Sequence, residues 1–231
     1  MAYRPWLIKG PVYITIAASV RSPDIRALAI SAGWVGYEPL YCTINAGVDV
    51  SNLTIANIPS GLLTIINRGR IGAEITSDFG IYTRVNIFID NAGGTIFGTG
   101  GKGGQGGALR IGNSFDTSYQ ATGASGSGGY GSGFSNYTPL ALLPGYPGSP
   151  GSTQATGGPS TGGSITSTGG RGGDGGALGK NGQAGSSGSA SGSYTLLQTY
   201  PPSAGGAPGN YIDGNAYVTW LATGTRLGNA I

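Results

Sequence analysis

The sequence predicts a mainly β chain in two parts. Residues 1–91 read as a β-rich platform domain with one short helix. Residues 92–231 read as a bundle of polyglycine/polyproline-II helices with inserted loops and a closing C-terminal strand. Three observations carry this. Apolar strand-like runs recur up to residue 98, as in PVYITIAASV, YCTINAGVDV and IYTRVNIFID. Composition changes abruptly near residue 92, with only eight of the 48 glycines before it. Glycine then falls at every third position through GRGGDGGALGKNGQAGSSG.

The spacing of three is neither the helical 3.6 nor the strand 2. It is the repeat of the polyproline-II helix, which forms no internal hydrogen bonds and must find partners in neighbouring segments. The hits are Gly170, Gly173, Gly176, Gly179, Gly182, Gly185 and Gly188, and GGKGGQGGAL at 100–109 repeats GGRGGDGGAL at 169–178. Gly101, Gly104 and Gly107 are the equivalent structural glycines of the first decamer. A flexible linker has similar composition. Collagen needs a long proline-rich G-X-Y run, and this run contains no proline. Each ordered glycine costs roughly 0.5–1 kcal/mol of backbone entropy relative to alanine. Thirty-four of them between 92 and 192 therefore argue for backbones in close contact, which offsets that cost.

The platform takes its elements in order. Residues 11–20 read as a strand. RSPDIRALAISAGW (21–34) carries helix punctuation, with Ser22 as N-cap, Pro23 at the first helical position, Asp24 in the first turn and Gly33 as terminator. Ile25, Leu28, Ala29 and Ala32 share one helical face. Strands follow over 41–50, 48–57, 61–72 and 81–98. The last two share a pattern: apolar strand, Asn67 or Asn91, glycine, Ile71 or Ile96, then Gly72 or Gly98. The 24-residue spacing of the asparagines suggests solenoid rungs; a β-sandwich with Asn-Gly turns fits equally well. AYVTWLATGTRLG (216–228) reads as the closing strand.

Composition excludes several functions. Charged residues are 9% and the net charge is +3 without a basic cluster, so no nucleic-acid partner is expected. The chain has no histidine and one cysteine, Cys42, which falls in an apolar run and reads as a buried thiol. No metal, cofactor or catalytic constellation emerges. Glu38, Glu74, Asp78 and Asp90 supply carboxylates to the β part, but scarcity argues against a glycosidase pair. Gly126-Ser127-Gly128 lies in low-complexity sequence rather than on the strand-turn-helix of a nucleophile elbow. The N-terminus lacks a signal-peptide core, and no apolar run approaches membrane-spanning length.

The inserts that break the glycine period carry the binding chemistry. They place Phe115, Tyr119, Tyr130, Phe134, Tyr137, Leu140, Leu142, Leu143 and Tyr146, then Tyr194, Leu196, Leu197 and Tyr200, among Ser, Gly and Asn. Loops with rigid amphipathic anchors and adaptable polar neighbours resemble paratopes. The competing expectation is that these side chains fold inward, because a glycine bundle offers none of its own.

The decamers, the segment GGAPGNYIDGNAYVTWLATGTRLG (205–228), and the stretches DIRALAISAGW, TINAGVDV and LTIINRGRI together resemble the glycine-rich adhesins at the tips of tailed-bacteriophage tail fibres. That resemblance implies a non-enzymatic protein of the virion, made in the host cytoplasm. It implies a bacterial surface receptor, an outer-membrane protein or a glycan, bound by loops at the tip of the bundle; the inserts 113–120, 130–147 and 193–202, where the chain departs from the family pattern, are the contact loops expected from their composition. It also implies other tail proteins as partners of the N-terminal domain, in a homotrimer or as a monomer on a trimeric fibre. A structural connector and, further off, a tail-spike depolymerase are the alternatives.

Overall fold

The computed structural model describes residues 10–77, 79–157 and 163–231. Three ladders of parallel strands wind round one core. The first runs Val12–Ile16, Leu40–Ile44, Leu63–Asn67, Ile87–Asp90 and Val218–Ala222; the second runs Val20–Arg21, Asp49–Ser51, Arg70–Gly72, Thr95–Phe97 and Thr225–Leu227. The third holds Leu53–Ile55, Phe79–Thr83, Asn210–Asp213 and Asn229–Ala230. Successive strands of each rung add to successive ladders, all in parallel register. The fold here is therefore a solenoid of five rungs rather than a sandwich.

Side-chain alternation along each strand explains the winding. In Leu40–Ile44, positions 40, 42 and 44 are buried and the two between are not. Register then stacks Ile14, Cys42, Ile65, Ile89 and Trp220 in one inward column. Each fully buried aliphatic side chain contributes about 1.5–3 kcal/mol. Asn67 and Asn91 occupy the predicted equivalent corners. Asn67 Nδ2 donates to Asn91 Oδ1 at 2.7 Å, and Asn91 Nδ2 donates to the Thr223 carbonyl at 2.8 Å. Ile71 pairs with Ile96 as the pattern suggests, but Gly72 pairs with Phe97 and not with Gly98. The missing side chain at Gly72 leaves room for the Phe97 ring.

The helix is shorter than its sequence signals. It spans Ile25–Ser31, with Asp24 as the N-cap accepting from Ala27 N at 2.9 Å. Ser22 sits at φ +42, outside the helix. Ile25 and Ala29 face the core, while Leu28 is exposed. Gly33, at φ +90, ends the helix as expected. The helix packs against Val12–Ile16 and covers the first rung.

The glycine-rich part is inserted into the fourth rung. The chain leaves after Phe97 and returns at Asn210, so the segment read as the tail of the glycine part, 210–230, completes the solenoid instead. The compositional boundary at 92 thus falls inside a rung: Gly94 and Thr95–Phe97 still belong to it.

Between 98 and 209, six extended segments lie side by side: 99–107, 124–132, 145–152, 169–177, 180–188 and 203–209. They are cross-linked through backbone at three-residue steps. Gly100, Gly103 and Gly106 N–H groups donate to the carbonyls of Ser132, Gly129 and Gly126. Gly101, Gly104 and Gly107 donate to Lys180, Gln183 and Ser186; Gly170, Gly173 and Gly176 donate to Gly107, Gly104 and Gly101. A Cβ at Gly101, Gly104, Gly170 or Gly173 would collide with the backbone carbonyl of a neighbouring segment. The two decamers lie innermost, each bonded to four other segments, which is why each carries two glycines in every three residues. The outer 180–188 segment needs only one, at Gly182, Gly185 and Gly188. The unbroken glycine period from 170 to 188 is therefore two antiparallel segments. They meet at a turn where Gly179 adopts φ +64.

Candidate functional site

The far end of the array, opposite the solenoid, is closed by two small sheets. Gln120–Thr122, Ala108–Asn113 and Tyr194–Tyr200 form one; Thr153–Thr156, Ile165–Thr168 and Ser189–Ser191 form the other. Ile111, Ala121 and Ile165 pack between them as a second, separate core. Ser167 Oγ joins the sheets by donating to the Leu109 carbonyl at 2.6 Å and accepting from Gly123 N at 3.0 Å. This small core is what holds the tip loops in place.

Outside it lies an apolar surface. Phe115 is 67% exposed and Leu196 52%, and Tyr119, Tyr194, Leu197 and Tyr200 are exposed as well. All seven residues of Tyr194–Tyr200 face solvent on the sheet edge. The Phe115 loop is built on local polar bonds. Buried Asn113 Oδ1 accepts from Phe115 N at 2.9 Å, and Asp116 Oδ1 accepts from Ser118 N at 2.9 Å. That N–H, with the Ser118 side chain, holds the Asp116 carboxyl below the usual range. Arg110 Nε and Nη2 both reach Gln120 Oε1, at 3.0 and 2.6 Å, which stiffens the adjoining strand pair.

The insert 130–147 is elsewhere. Its residues sit at the root of the array, against the solenoid. Phe134 is fully buried, its N–H donates to the Ala73 carbonyl, and its ring lies 4.8 Å from that of Phe97. The expectation that Phe134 belongs to an exposed binding loop is corrected: the gap above Gly72 and Phe97 takes it as core. Leu142 pairs with Phe134 across a two-stranded ladder with Leu143, and Leu140 is half-buried beside it. Tyr130, Tyr137 and Tyr146 are exposed, but nine residues of array separate this end from the tip. The thirteen aromatic and aliphatic positions therefore form two groups, not one.

An ionic cluster fixes the root. Arg21 Nε and Nη2 reach Glu74 at 2.8 and 2.7 Å, Ser51 Oγ donates to Glu74 at 2.7 Å, and Arg21 Nη1 donates to the Asn136 carbonyl at 2.8 Å. Glu74 is 4% exposed. Burial alone pushes its carboxyl up, but the hydrogen bonds from Arg21 and Ser51 outweigh it and hold it low. Asp90 is likewise held low, by Arg68 and then by Ala92 N–H. Asp49, Asp213 and Asp174 pair with Arg70, Arg84 and Arg171. The Cys42 thiol is fully buried and pushed up to about 12 by burial, which leaves it inert. Asp78 and residues 1–9 lie outside the described residues.

The phage tail fibre adhesin Gp38 family model matches residues 11–231. The chain belongs to that family. This makes it a tail adhesin of a bacteriophage virion. Among solved structures, the gp37-gp38 adhesin tip complex of the bacteriophage S16 long tail fibre is similar. The identity is 17%, over 96% of this chain and 82% of that one, with a TM-score of 0.47. A comparison with curated proteins found no match.

Sequence reasoning missed one part of the adhesin's tip, the hairpin Thr153–Thr156 and Ile165–Thr168. Its strands are made of Ser, Thr, Gln and Ala with one isoleucine, and read as spacer. Ile165, alone in a stretch without other aliphatics, was the signal available. The stretch of sequence between these strands includes 158–162, outside the described residues.

Proposed function

We propose that the adhesin attaches the phage to its host by pressing the tip surface against a bacterial outer-membrane protein or surface glycan. The observation that carries this is the cluster of six exposed Phe, Tyr and Leu side chains at one end of the array, Phe115 and Tyr119 on a loop and the other four on the edge strand Tyr194–Tyr200. Contiguous apolar patches on soluble proteins mark interfaces. Tyr-rich loops with Ser, Gly and Asn neighbours recognise surfaces at low entropic cost.

The array between tip and solenoid is read as a bundle of polyglycine-II helices. Hydrogen bonds at three-residue steps and glycines facing neighbouring carbonyls support that reading. Eight steps at about 3.1 Å hold the tip roughly 25 Å from the solenoid. A stiff mount of this kind spares the loops ordering entropy when they bind. The solenoid is the platform that joins the adhesin to other tail proteins. The role is binding without catalysis, in keeping with the pairing of Asp49, Glu74, Asp90, Asp174 and Asp213 to arginines.

Exchanging 113–120 and 193–202 for the loops of a related adhesin changes host range and leaves the fold intact. Exchanging 135–145 leaves host range alone. Unchanged adsorption after the tip exchange would refute the assignment. Strong amide-exchange protection at 99–107 and 169–188 is the matching test of the bundle; rapid exchange there removes the mount.

A further inference from the structure

A cleft of about 640 Å³ runs along the root of the array, between its outer segments and the solenoid. Its volume falls within the range of small-molecule sites. Lys102 and Tyr130 stand in it side by side, because the 99–107 and 124–132 segments are bonded at the same level through Gly103 N to the Gly129 carbonyl. The Lys102 ammonium lies 5.4 Å from the centre of the Tyr130 ring. Lys102 makes no ion pair among the described residues. Asp213, the carboxylate on the far wall, is held by Arg84 at 2.8 Å instead. Thr99 and Asn210 line the same cleft, and neither side chain has a hydrogen-bond partner among the described residues.

We propose that this cleft is a lateral subsite for one acidic sugar unit. The apolar face of the pyranose lies against the ring of Tyr130, a residue 56% exposed, a contact of the kind aromatic rings make well. The carboxylate of the sugar meets the Lys102 ammonium in a charge-assisted hydrogen bond. Asn210 and Thr99 supply partners for ring hydroxyls. A single lysine, an aromatic floor and neutral polar groups suit a carboxylated sugar. A phosphate would call for an arginine fork or a converging set of backbone N–H groups. The subsite is independent of the tip: it uses other residues at the other end of the array, and it can exist whatever the tip binds.

The test uses the full chain and a matched pair of probes, methyl glucuronoside and methyl glucoside, followed by saturation-transfer NMR and titration. The acid binds in the millimolar range and more tightly than the neutral glycoside. Lys102→Met weakens the acid about fivefold, to the level of the neutral sugar. Tyr130→Phe keeps binding and Tyr130→Ala abolishes transfer to the ring protons. Tyr37→Ala, at an exposed solenoid residue outside both the cleft and the tip, leaves binding of both glycosides as it was. Failure of both glycosides to bind overturns the proposal, as does equal binding of the two or indifference to Lys102→Met. Both residues are exposed, so an unchanged amide spectrum separates lost binding from lost fold. Host-range change on tip exchange is a separate readout, so either reading can fail alone.

Discussion

The solenoid and the glycine array solve one problem in two ways. Both stack extended segments side by side through backbone hydrogen bonds. The solenoid spaces its strands by side chains and draws stability from a buried column of Ile, Leu and Val. The array has almost no side chains inside and draws its cohesion from backbones in direct contact. A solenoid rung can therefore absorb a change in side-chain volume, whereas an inner segment of the array cannot absorb even a methyl group.

Substitution of an inner glycine is the strongest way to break this contrast. Gly173→Val drives a side chain into the Gln183 carbonyl of a neighbouring segment. It is expected to cost at least about 3 kcal/mol and to melt the array as a unit, measured by urea unfolding. Gly47→Ala, at a solenoid turn with φ +77 and open space around it, costs only about 1 kcal/mol. Equal effects at the two sites would erase the distinction. Phe134→Ala comes next or close to it. It empties a site between Phe97 and Arg70 and should cost about 3–5 kcal/mol. Local proteolysis should then begin in 135–145 and not at the tip.

Asn67→Ala removes a buried donor and leaves Asn91 Oδ1 short of a partner. It should cost about 1–3 kcal/mol and lower the melting temperature of the solenoid. Acid acts more gently. Glu74 and Asp90 have folded-state pKa values below their unfolded ones, so their contribution is complete above the ordinary carboxylate range. It fades as pH falls through the depressed folded values. Stability followed by circular dichroism should fall in that acid window, with a shallower slope in Arg21→Met, where Glu74 has lost its main partner. The smallest effect on stability is at the tip: Tyr194→Ala or Leu196→Ala shifts it by no more than about 0.5 kcal/mol, while adsorption to host cells drops.

The legibility of the two parts follows the same contrast. The three-residue period is visible in 169–188 because an inner backbone contact admits glycine alone. The segments 124–132 and 145–152 keep the period, at Gly126 and Gly129 and at Gly145, Gly148 and Gly151, but in short runs that Ser, Tyr and Pro spacers disguise. Asn67 and Asn91 revealed the rung because a buried amide ladder constrains residue type. The fifth rung was not legible as a rung, because the whole array separates Phe97 from its ladder neighbour Leu227. Phe134 misled because an aromatic amid glycines looks like a loop anchor, and only the hollow over Gly72 shows where it goes. Leu28 misled in the opposite sense, lying on the predicted apolar face yet reaching solvent.

The array leaves the solenoid at Phe97 and returns at Asn210, and each of these positions is flanked on both sides by rungs three and five. A tether anchored at both feet has no free end from which to peel. Under the proposed role, with a cell held at the tip and dragged by flow, the pull divides between two seams, and release requires the fourth and fifth rungs to tear together.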